Sequence, residues 1–573
     1  MFLTPAILSS ATWCSFERLL SRLLVHKGLK GVRIVGGTGD KGADIIAIGF
    51  NNKRWLVQAK FWAKPVSEQE LQETIEAGRH YSADFLVIAA PNGIDGRARQ
   101  LQQRLIKEHP ITVWDANNLV AMAASLPKEA IVRPAQGEYQ EIAITRVQEM
   151  LEDQTPIRGM VVMATGLGKT FTASEAIRRV RKIRPIKTLI LAHTNALVLQ
   201  LEKAFWPFLG PTIPTFVWTQ YEKPSEEALQ NADFIFASRD SVYNYIQAGH
   251  ILPRFDLILI DECHHAHSKA LAYQRIIDDT ASEAHTQLLG LTATPFLADP
   301  EASLAYNFGD SPLLTIDMVY GLRHGFLSQI DYRLFTSNIN WDCLESLRGG
   351  SLSPKQVNKV FFIQEWDDAI VSEIQKTWAS QKNPKAIIFC ETIAHAFKMR
   401  DMLNSRGFCS AQAIYSGKFD GQSMSSFQKN LLLSDFEAGT VNVVCTVDVF
   451  NEGIDVPDVN IVVFNRVTHS RRIFIQQLGR GLRLSPGKPK TLVLDFAQDI
   501  RRYAAGLKMK DSLYESRPGE VISIGNKVTF RNSAGEDKRA EAFLRAWLDD
   551  VEKIEASDDE DIGVLKFPPP LGD

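Results

Sequence analysis

The sequence predicts an α/β protein with a small N-terminal α/β domain, two tandem parallel-sheet domains and a small C-terminal α+β region. Two observations support this fold class. From Gly137 onward, short apolar runs rich in β-branched residues alternate with helical stretches, which is typical of parallel strands covered by helices on both faces. Residues 1–125 show their own alternation of helical and strand patterns. A chain of 573 residues is long enough for three or four separate cores.

The N-terminal domain is predicted over residues 1–125. Apolar residues at helical spacing between Phe16 and Leu24 predict its first helix, and the Gly-rich segment GGTGDKG that comes later predicts a turn. Further elements are predicted in this order: a strand at 44–48, a strand at 55–59, a polar helix at 67–80, the strand FLVIAA, and a helix followed by the strand ITVWD.

Two successive parallel sheets are predicted after a linker at 126–136, which contains two prolines. The first sheet is assigned to residues 137–326 and the second to residues 327–500. The Gly/Ser-rich segment RGGSLSP lies between the last run of the first sheet and the first run of the second. The runs of the first sheet are VVMAT, TLILAH, DFIFAS, DLILID and QLLGLT, and those of the second are KAIIFC, VNVVCT, NIVVFN and TLVLDF.

Residues 501–573 form the predicted small C-terminal region. The segments VISI and KVTF alternate around a Gly-Asn pair, which predicts a hairpin, and a helix is expected near residues 539–551. The acidic stretch EASDDED and the tail PPPLGD are too polar and too rich in proline to build a core, so we expect them to be solvated.

Composition narrows the class of protein. A net charge of -3 argues against a protein that coats DNA by bulk charge, although a local basic groove would still bind phosphates. Six cysteines lie far apart without metal-ligand spacing, which favours unpaired thiols in a reducing compartment. No apolar run reaches the roughly 18 residues of a membrane span. We therefore expect a cytoplasmic enzyme without a membrane partner.

Residues 163–170, MATGLGKT, predict a phosphate-binding loop between a strand and a helix. Gly166 and Gly168 let the backbone approach phosphate groups closely, and the N-terminus of the following helix attracts anions. Lys169 is placed to reach the β- and γ-phosphates, and the Thr170 hydroxyl is placed to ligate Mg²⁺. Met163 stands where the strict pattern has glycine.

The segment DLILIDECHH supplies the second element of a nucleotide hydrolase. An apolar strand ends there in two adjacent carboxylates, Asp261 and Glu262. Hydrolysis requires one carboxylate to hold Mg²⁺ and another to position and deprotonate the attacking water. Asp261 fits the metal role, and Glu262 fits the role of base.

Four motifs in this order, ATGLGKT, DECHH, LTATP and QQLGRGLR, resemble those of superfamily 2 DExH-box helicases and translocases. The likeness is closest to the branch that contains the motor subunits of type I restriction enzymes, and it covers roughly residues 137–500. It implies two RecA-like lobes that bind and hydrolyse ATP with Mg²⁺ between Gln140 and Arg483.

The resemblance also implies roles for individual residues. Gln140 stands where the family contacts adenine, and Thr292 and Thr294 stand where it couples hydrolysis to lobe movement. Contacts to the nucleic-acid backbone are implied for Thr194, Ser238, Arg239 and Thr446. ATP-binding positions are implied for Gln140, Thr165, Gly166, Leu167, Gly168, Lys169, Thr170, Asp261, Gly453, Asp455 and Gln476.

Arg480 and Arg483 complete the catalytic set, because they align with the motif that faces the γ-phosphate. Negative charge builds on the phosphoryl oxygens in the transition state, and a guanidinium from the opposite lobe stabilises it. Delivery of that guanidinium requires the lobes to close, so hydrolysis and movement become linked.

A second candidate site lies in the N-terminal domain. Asp44 begins one predicted strand, and Gln58 and Lys60 end the next. An acid and an amide oxygen are able to hold Mg²⁺, while a lysine beside them stabilises developing negative charge. Glu17 on the first helix is placed to complete the site.

This arrangement resembles the PD-(D/E)xK nuclease fold, particularly the Mrr-like restriction endonucleases, over about residues 12–122. Gln58 stands where the broader fold has a carboxylate, although the Mrr-like branch commonly has glutamine. The domain carries 15 Lys/Arg against 11 Asp/Glu, a net charge of +4, which suits a DNA partner. The alternative is that Asp44 and Lys60 form a surface ion pair on an inactive domain.

Together these features predict an ATP-dependent translocase fused to a Mg²⁺-dependent endonuclease that restricts foreign or modified duplex DNA, with partner subunits supplying specificity. Two alternatives stay open at this point. One is a DNA-repair or remodelling ATPase whose N-terminal domain binds DNA without cutting it, which the glutamine at position 58 favours. The other is an RNA helicase, because the DExH motifs do not distinguish RNA from DNA.

Overall fold

The structure is a computed structural model of the chain. It describes residues 1–35, 42–49, 52–105, 110–129, 137–153, 157–281, 286–293, 303–316, 320–321, 324–335, 351–352, 367–447, 458–465, 481–482, 484, 488, 490–496, 529–531 and 565–566.

The N-terminal unit is one mixed five-stranded sheet with helices around it. The strands lie in the order β1-β2-β3-β4-β5; β2 is antiparallel to both of its neighbours, and β4 and β5 continue parallel to β3. Its elements are α1 (Pro5–Ser10), α2 (Trp13–His26), β1 (Lys30–Ile34), β2 (Ile45–Ile48), β3 (Arg54–Ala59), α3 (Glu68–His80), β4 (Phe85–Ala89), α4 (Gly96–Leu105), β5 (Ile111–Trp114) and α5 (Ala116–Ala124).

The first lobe is a seven-stranded parallel sheet in the order β12-β6-β11-β10-β7-β9-β8. Its strands are nearly continuous apolar runs, as expected for a sheet buried on both faces. Its elements are α6 (Glu138–Glu152), β6 (Arg158–Met163), α7 (Lys169–Arg181), β7 (Thr188–Ala192), α8 (Asn195–Leu209), β8 (Phe216–Trp218), α9 (Glu226–Asn231), β9 (Phe234–Ser238), α10 (Arg239–Gln247), β10 (Leu257–Asp261), α11 (Leu271–Ala281), β11 (Gln287–Thr292), α12 (Ala305–Phe308) and β12 (Leu314–Ile316).

The second lobe is another seven-stranded parallel sheet, in the order β16-β19-β15-β20-β21-β13-β22. Two short antiparallel pairs, β14 with β23 and β17 with β18, accompany it. Its elements are β13 (Gln329–Phe335), β14 (Ser351–Leu352), α13 (Asp367–Trp378), β15 (Ala386–Cys390), α14 (Ile393–Ser405), β16 (Ala411–Tyr415), β17 (Lys418–Phe419), β18 (Gln422–Ser423), α15 (Ser426–Ala438), β19 (Val443–Val447), β20 (Ile461–Asn465), β21 (Lys490–Phe496), β22 (Thr529–Arg531) and β23 (Leu565–Lys566).

The predicted fold class is confirmed: a mixed-sheet N-terminal domain precedes two parallel-sheet domains. All nine predicted apolar runs coincide with strands of the two large sheets. Strands such as β1, β8, β12 and β16 were not predicted from the sequence, because they are short or lack a continuous apolar run. Most of the predicted C-terminal hairpin and the whole helix at 539–551 lie outside the described residues, as does the acidic tail.

A buried polar interface joins the N-terminal unit to the first lobe, between α2 and α8. The guanidinium of Arg18 pairs with Glu202 at 2.7 Å and with Glu222 at 2.5 Å. Arg22, also on α2, donates to the carbonyl oxygens of Gly210 at 2.7 Å and Ile213 at 2.8 Å. Because buried guanidinium groups are held by fixed acceptors on the other side, the two units are attached in one defined orientation.

The N-terminal unit also contacts the second lobe, through β1 and α15. Arg33 forms an ion pair with Glu437, and Asn430 donates to the carbonyl oxygen of Ile34 at 2.7 Å. The side chains of this ion pair remain partly accessible, in contrast to Arg18 in the interface with the first lobe. The unit therefore touches both lobes, and its contact with the first is the more deeply buried.

No helix among the described residues is both long enough and apolar enough to cross a membrane.

Candidate active sites

The loop between β6 and α7 has the backbone shape of a phosphate cradle. Gly166 has a φ of 93° and Gly168 a φ of 94°, in the left-handed region that favours glycine. A Cβ on Gly168 would lie 2.7 Å from Nε2 of Gln140. Lys169 is the first residue of α7, so its side chain and the free N–H groups of the helix start face the same space.

Helix α6 is fastened to this loop by two side chains. Gln140 is 2% exposed and donates from Nε2 to the carbonyl oxygen of Leu167 at 2.9 Å. The hydroxyl of Tyr139 donates to the same oxygen at 3.2 Å. Leu167 is buried, whereas Thr165 and Thr170 are partly exposed at the mouth of the loop. Gln140 thus lies beside the loop, and its predicted contact with adenine stays a prediction.

Two carboxylates stand opposite the loop at the end of β10. The Nζ of Lys169 lies 3.3 Å from Oε1 of Glu262. The Oδ1 atom of Asp261 is buried and has no hydrogen-bond partner among the described residues. Glu262 has a φ of 47°, which is uncommon for a residue with a side chain and indicates a constrained turn after the strand. The loop and the carboxylates meet because β6 and β10 both flank β11 in a parallel sheet.

The two carboxylates have opposite protonation tendencies. Burial and the neighbouring Glu262 carboxylate raise the pKa of Asp261 to about 7. Burial acts in the same direction on Glu262, but the ammonium of Lys169 and the hydrogen bond from His264 outweigh it and lower the pKa of Glu262 to about 2. Glu262 is therefore anionic at neutral pH, as a general base must be.

His264 connects the DECHH segment to the LTATP segment. Its Nδ1 lies 3.1 Å from the hydroxyl oxygen of Thr292 and 3.3 Å from Oε2 of Glu262. His264 was not predicted as a site residue, although a histidine two residues after the paired carboxylates of DECHH was a usable signal in the sequence. Thr294, predicted to act with Thr292, lies outside the described residues.

This geometry fits a nucleoside triphosphate with a divalent cation. The glycine conformations and the helix start would hold phosphate oxygens, and the orphaned, buried Oδ1 of Asp261 suits a cation ligand. The Thr170 hydroxyl stands at the start of the same helix as Lys169. Carboxylate and hydroxyl oxygens such as these are the ligands that hard divalent cations prefer.

The four residues predicted to contact nucleic acid have different environments. Thr194 is exposed and its hydroxyl caps α8, accepting from the Leu197 N–H at 3.3 Å. Arg239 is partly exposed and pairs with the adjacent Asp240 at 2.7 Å. The side chain of Ser238 is buried and caps α10, so it does not form a contact surface in this conformation.

Thr446 is 0% exposed near the end of β19, a strand that is buried on both faces of its sheet. Its predicted contact with the nucleic-acid backbone stays a prediction.

The predicted second-lobe residues of the ATP site, Gly453, Asp455, Gln476, Arg480 and Arg483, lie outside the described residues. Two residues between the predicted arginines are described. The carbonyl oxygen of Gly481 accepts from Nζ of Lys488 and from the hydroxyl of Thr491, each at 2.6 Å. The carbonyl oxygen of Leu482 accepts from the Ser328 N–H at 2.7 Å.

In the N-terminal unit, Asp44 directly precedes β2, and Gln58 lies on the neighbouring antiparallel strand β3. Oδ2 of Asp44 accepts from the Ala59 N–H at 2.6 Å, which places the carboxylate beside the segment from Gln58 to Lys60. Gln58 is buried, and its Oε1 accepts a hydrogen bond from the hydroxyl of Thr74 on α3. The structure thus brings Asp44 to the end of β3, with the amide oxygen of Gln58 turned toward α3.

Lys60 and Glu17 have aromatic neighbours. The Nζ of Lys60 lies 4.6 Å from the ring centroid of Trp62, within the range of a cation–π contact. Oε1 of Glu17 accepts from the indole N–H of Trp13 at 2.6 Å, one turn earlier on α2. Gly42, at a φ of 86°, is required near the site because a Cβ there would lie 2.8 Å from Nε2 of Gln58.

The fold and these two sites define the class of protein: a nucleotide-hydrolysing pair of parallel-sheet lobes preceded by a nuclease-type domain. Family models place each part. Residues 8–123 match the catalytic domain of Mrr, described as restriction endonuclease; residues 135–297 match the res subunit of type III restriction enzymes; and residues 367–485 match the helicase conserved C-terminal domain. The chain therefore carries a restriction endonuclease domain of the Mrr type followed by two superfamily 2 helicase domains, which confirms the resemblance drawn from the motifs.

Curated relatives agree with this domain content. A subunit named as the endonuclease of the type I restriction enzyme EcoAI from Escherichia coli is 27% identical over 75% of this chain and 52% of its own length. The helicase-like mitochondrial protein irc3 from Schizosaccharomyces pombe is 27% identical over 65% of this chain and 59% of its own length. The chain thus spans only about half to three-fifths of the length of these relatives.

Among solved structures, the type ISP restriction-modification enzyme LlaBIII bound to DNA matches this chain over 95% of its length, which corresponds to 42% of the LlaBIII chain. The sequence identity is 18% and the TM-score is 0.49. The helicase domain of Hef from Pyrococcus furiosus covers 64% of this chain at 21% identity and a TM-score of 0.44. At these values the likeness concerns the general fold only.

Proposed function

We propose that the chain is an ATP-driven translocase on duplex DNA whose fused endonuclease domain cuts foreign or modified DNA with Mg²⁺. The observation that carries the proposal is the cleft in which Lys169 faces Glu262 at 3.3 Å beside the orphaned carboxylate oxygen of Asp261. The same chain joins that cleft, through the buried contacts of Arg18, to a domain of the restriction endonuclease type.

The roles of the cleft residues follow from their chemistry. Bound phosphates would draw the Lys169 ammonium away from Glu262, because they offer it a higher negative charge. Loss of that neighbour makes the Glu262 carboxylate a stronger base toward the attacking water. Asp261 and Thr170 would hold Mg²⁺, which neutralises charge on the phosphate oxygens. His264 keeps Glu262 oriented through the contact at 3.3 Å.

The second lobe is proposed to supply the arginines that stabilise the transition state of hydrolysis. Arg480 and Arg483 would stabilise the transferred phosphoryl group when the lobes close, and Gln476, Gly453 and Asp455 would line the same face. The described anchors on either side of Gly481 and Leu482 support this, since they tie the segment to the start of β13 and to β21.

For the N-terminal domain we propose that Asp44 and the Gln58 amide would hold the nuclease metal. Lys60 would stabilise the charge that develops on the phosphodiester during attack. Asp44 and the segment from Gln58 to Lys60 adjoin one another, as the hydrogen bond from the Ala59 N–H shows. Glu17 lies on the neighbouring helix and is proposed as a supporting acid.

One observation favours a second candidate function, a DNA-repair or remodelling ATPase whose N-terminal domain binds DNA without cutting. The Gln58 oxygen already accepts a hydrogen bond from Thr74, so a metal would have to share that oxygen or displace the hydroxyl. The restriction relatives, whose names describe endonuclease subunits, weigh toward cleavage. Duplex DNA is the proposed partner, and separate subunits that supply specificity are proposed beside it, because the restriction relatives are themselves named as subunits of larger enzymes.

The decisive experiment incubates the purified full chain with modified and unmodified plasmids, with and without ATP and Mg²⁺. We expect cleavage that needs both. Lys60→Ala should abolish cleavage and keep ATP hydrolysis, whereas Lys64→Ala, an exposed lysine of the same loop, should keep both. ATP hydrolysis without any cleavage under all conditions would favour the repair or remodelling function, and stimulation by duplex RNA alone would point to an RNA helicase.

A further inference from the structure

Three histidines of the first lobe lie in one row, and only His264 among them has a role in the proposed hydrolysis. The ring centroids of His193 and His265 are 4.2 Å apart with a tilt of 44°, and those of His265 and His264 are 4.2 Å apart with a tilt of 43°. At such separations the imidazole rings are in van der Waals contact, so the position of one restricts the next.

The row begins at the surface and ends in the hydrolytic centre. His193 directly follows β7 and precedes Thr194, the exposed residue that caps α8 and is proposed to meet the nucleic-acid backbone. His264 at the other end contacts Glu262 at 3.3 Å and Thr292 at 3.1 Å. His193 and His265 are half-buried and His264 is buried, so burial deepens along the row.

The topology explains why residues so far apart in sequence meet. β7 and β10 are neighbouring parallel strands, with Ile190 opposite Leu259 and Leu191 opposite Ile260. The residues that follow the two strands therefore emerge at the same edge of the sheet. His193 comes one residue after the end of β7, and His265 comes one short turn after the end of β10.

We propose that His193 and His265 are positioning residues that transmit engagement of duplex DNA, at the segment after β7, to the Glu262 carboxylate through His264. The inference rests on the proposed motor function and adds the route by which DNA accelerates ATP hydrolysis. Transmission occurs by ring packing: movement of the segment at Thr194 displaces the His193 ring, which moves the His265 ring, and His264 follows with Glu262. Neither His193 nor His265 needs to touch ATP.

The test measures ATP hydrolysis by the full chain with and without linear duplex DNA. His193→Ala and His265→Ala should each reduce the ratio of stimulated to unstimulated rate about five- to tenfold. In the double variant this ratio should fall no further than in either single variant, because the two residues act in series. The KM for ATP and the DNA concentration that gives half-maximal stimulation should stay within about twofold of wild type.

Two further variants separate positioning from general damage to the fold. His265→Phe keeps a flat ring in the row, so it should recover at least half of the DNA stimulation that His265→Ala loses. His250→Ala is the matched control, because His250 is exposed and stacks on Tyr245 at 4.5 Å away from the row. It should keep the wild-type ratio.

The possible results are distinct. A wild-type ratio in both alanine variants would overturn the inference, as would a His265→Phe variant that fails like His265→Ala. The DNA concentration for half-maximal stimulation could rise enough to account for the whole loss of stimulation. That result would mean that the histidines bind DNA and do not transmit its engagement to Glu262. If wild type itself shows no stimulation by DNA, the proposed motor function fails and the inference fails with it.

Discussion

The buried guanidinium of Arg18 offers a quantitative test of how the nuclease domain is held on the motor. Arg18 is 6% exposed and Glu202 is 0% exposed, and the two are 2.7 Å apart. Replacement of Arg18 by Met leaves the buried Glu202 carboxylate without its direct ion-pair partner, and the Thr215 hydroxyl remains as a hydrogen-bond donor to it. Breaking a buried pair in this way costs about 3–5 kcal/mol, so we expect the contact between α2 and α8 to weaken by about that amount.

The assay is hydrogen exchange of the α2 and α8 amides in the full chain, because a multidomain protein has no single free energy of unfolding. A loss of about 3–5 kcal/mol corresponds to exchange that is faster by about two to three and a half powers of ten. Arg146→Met is the control, since Arg146 and Glu149 are both 60% exposed and such a pair contributes at most about 1 kcal/mol.

A double variant sharpens the test. Arg18→Met combined with Glu202→Leu removes both charges, and well-packed apolar replacements of a buried pair are often neutral, so most of the lost protection should return. Exchange in Arg18→Met that is no faster than in Arg146→Met would show that the buried ion pair does not hold the two helices together. A double variant that is as unprotected as the single variant in both helices would show that the unpaired Glu202 charge is not the cause of the loss.

Three further predictions concern the two sites and the interface helix. Gly168→Ala should lower the affinity for ATP at least tenfold in a nucleotide-binding titration, because a side chain at a φ of 94° is strained by about 1–2 kcal/mol and its Cβ would displace the neighbouring glutamine amide. Burial and a neighbouring guanidinium lower the pKa of His26 to about 4, so the locally unfolded helix binds more protons between pH 4 and 6.5. The free energy of opening α2 should therefore fall by up to about 3 kcal/mol as the pH drops through that window, and His26→Gln should abolish this loss when the protection of the α2 amides is measured by hydrogen exchange. Gln58→Glu should lower the Mg²⁺ concentration for half-maximal cleavage about tenfold, because a carboxylate replaces an amide oxygen; an unchanged Mg²⁺ dependence would place the metal elsewhere.

Much of the fold could be predicted because parallel sheets have a strong local pattern. Each buried strand is a continuous apolar run, and its end can be located by the polar residue that follows, as at Asp261 after β10. The approach of Lys169 to Glu262 could be anticipated as well, because strands of one parallel sheet deliver their C-terminal ends to the same edge. Short strands such as β8 carry too few residues to show a period.

Contacts between distant segments were beyond sequence reasoning. Arg18 and Glu202 lie 184 positions apart, and both have the appearance of solvated charges on amphipathic helices. Their pairing depends on how two domains dock, which no local period encodes. The burial of Thr446 was not predicted either, because a motif assigns a residue to a function without showing whether its side chain is covered on either face of the sheet.

We propose that ATP is hydrolysed at the cleft between Lys169 and the two carboxylates, with Glu262 as base. The most direct measurement compares single-turnover ATP hydrolysis and ATP affinity in wild type, Glu262→Gln and Glu152→Gln, an exposed glutamate at the end of α6. We predict that Glu262→Gln binds ATP with an affinity within about threefold of wild type but hydrolyses it about 10² to 10⁴ times more slowly, while Glu152→Gln matches wild type. Wild-type hydrolysis by Glu262→Gln would contradict the account.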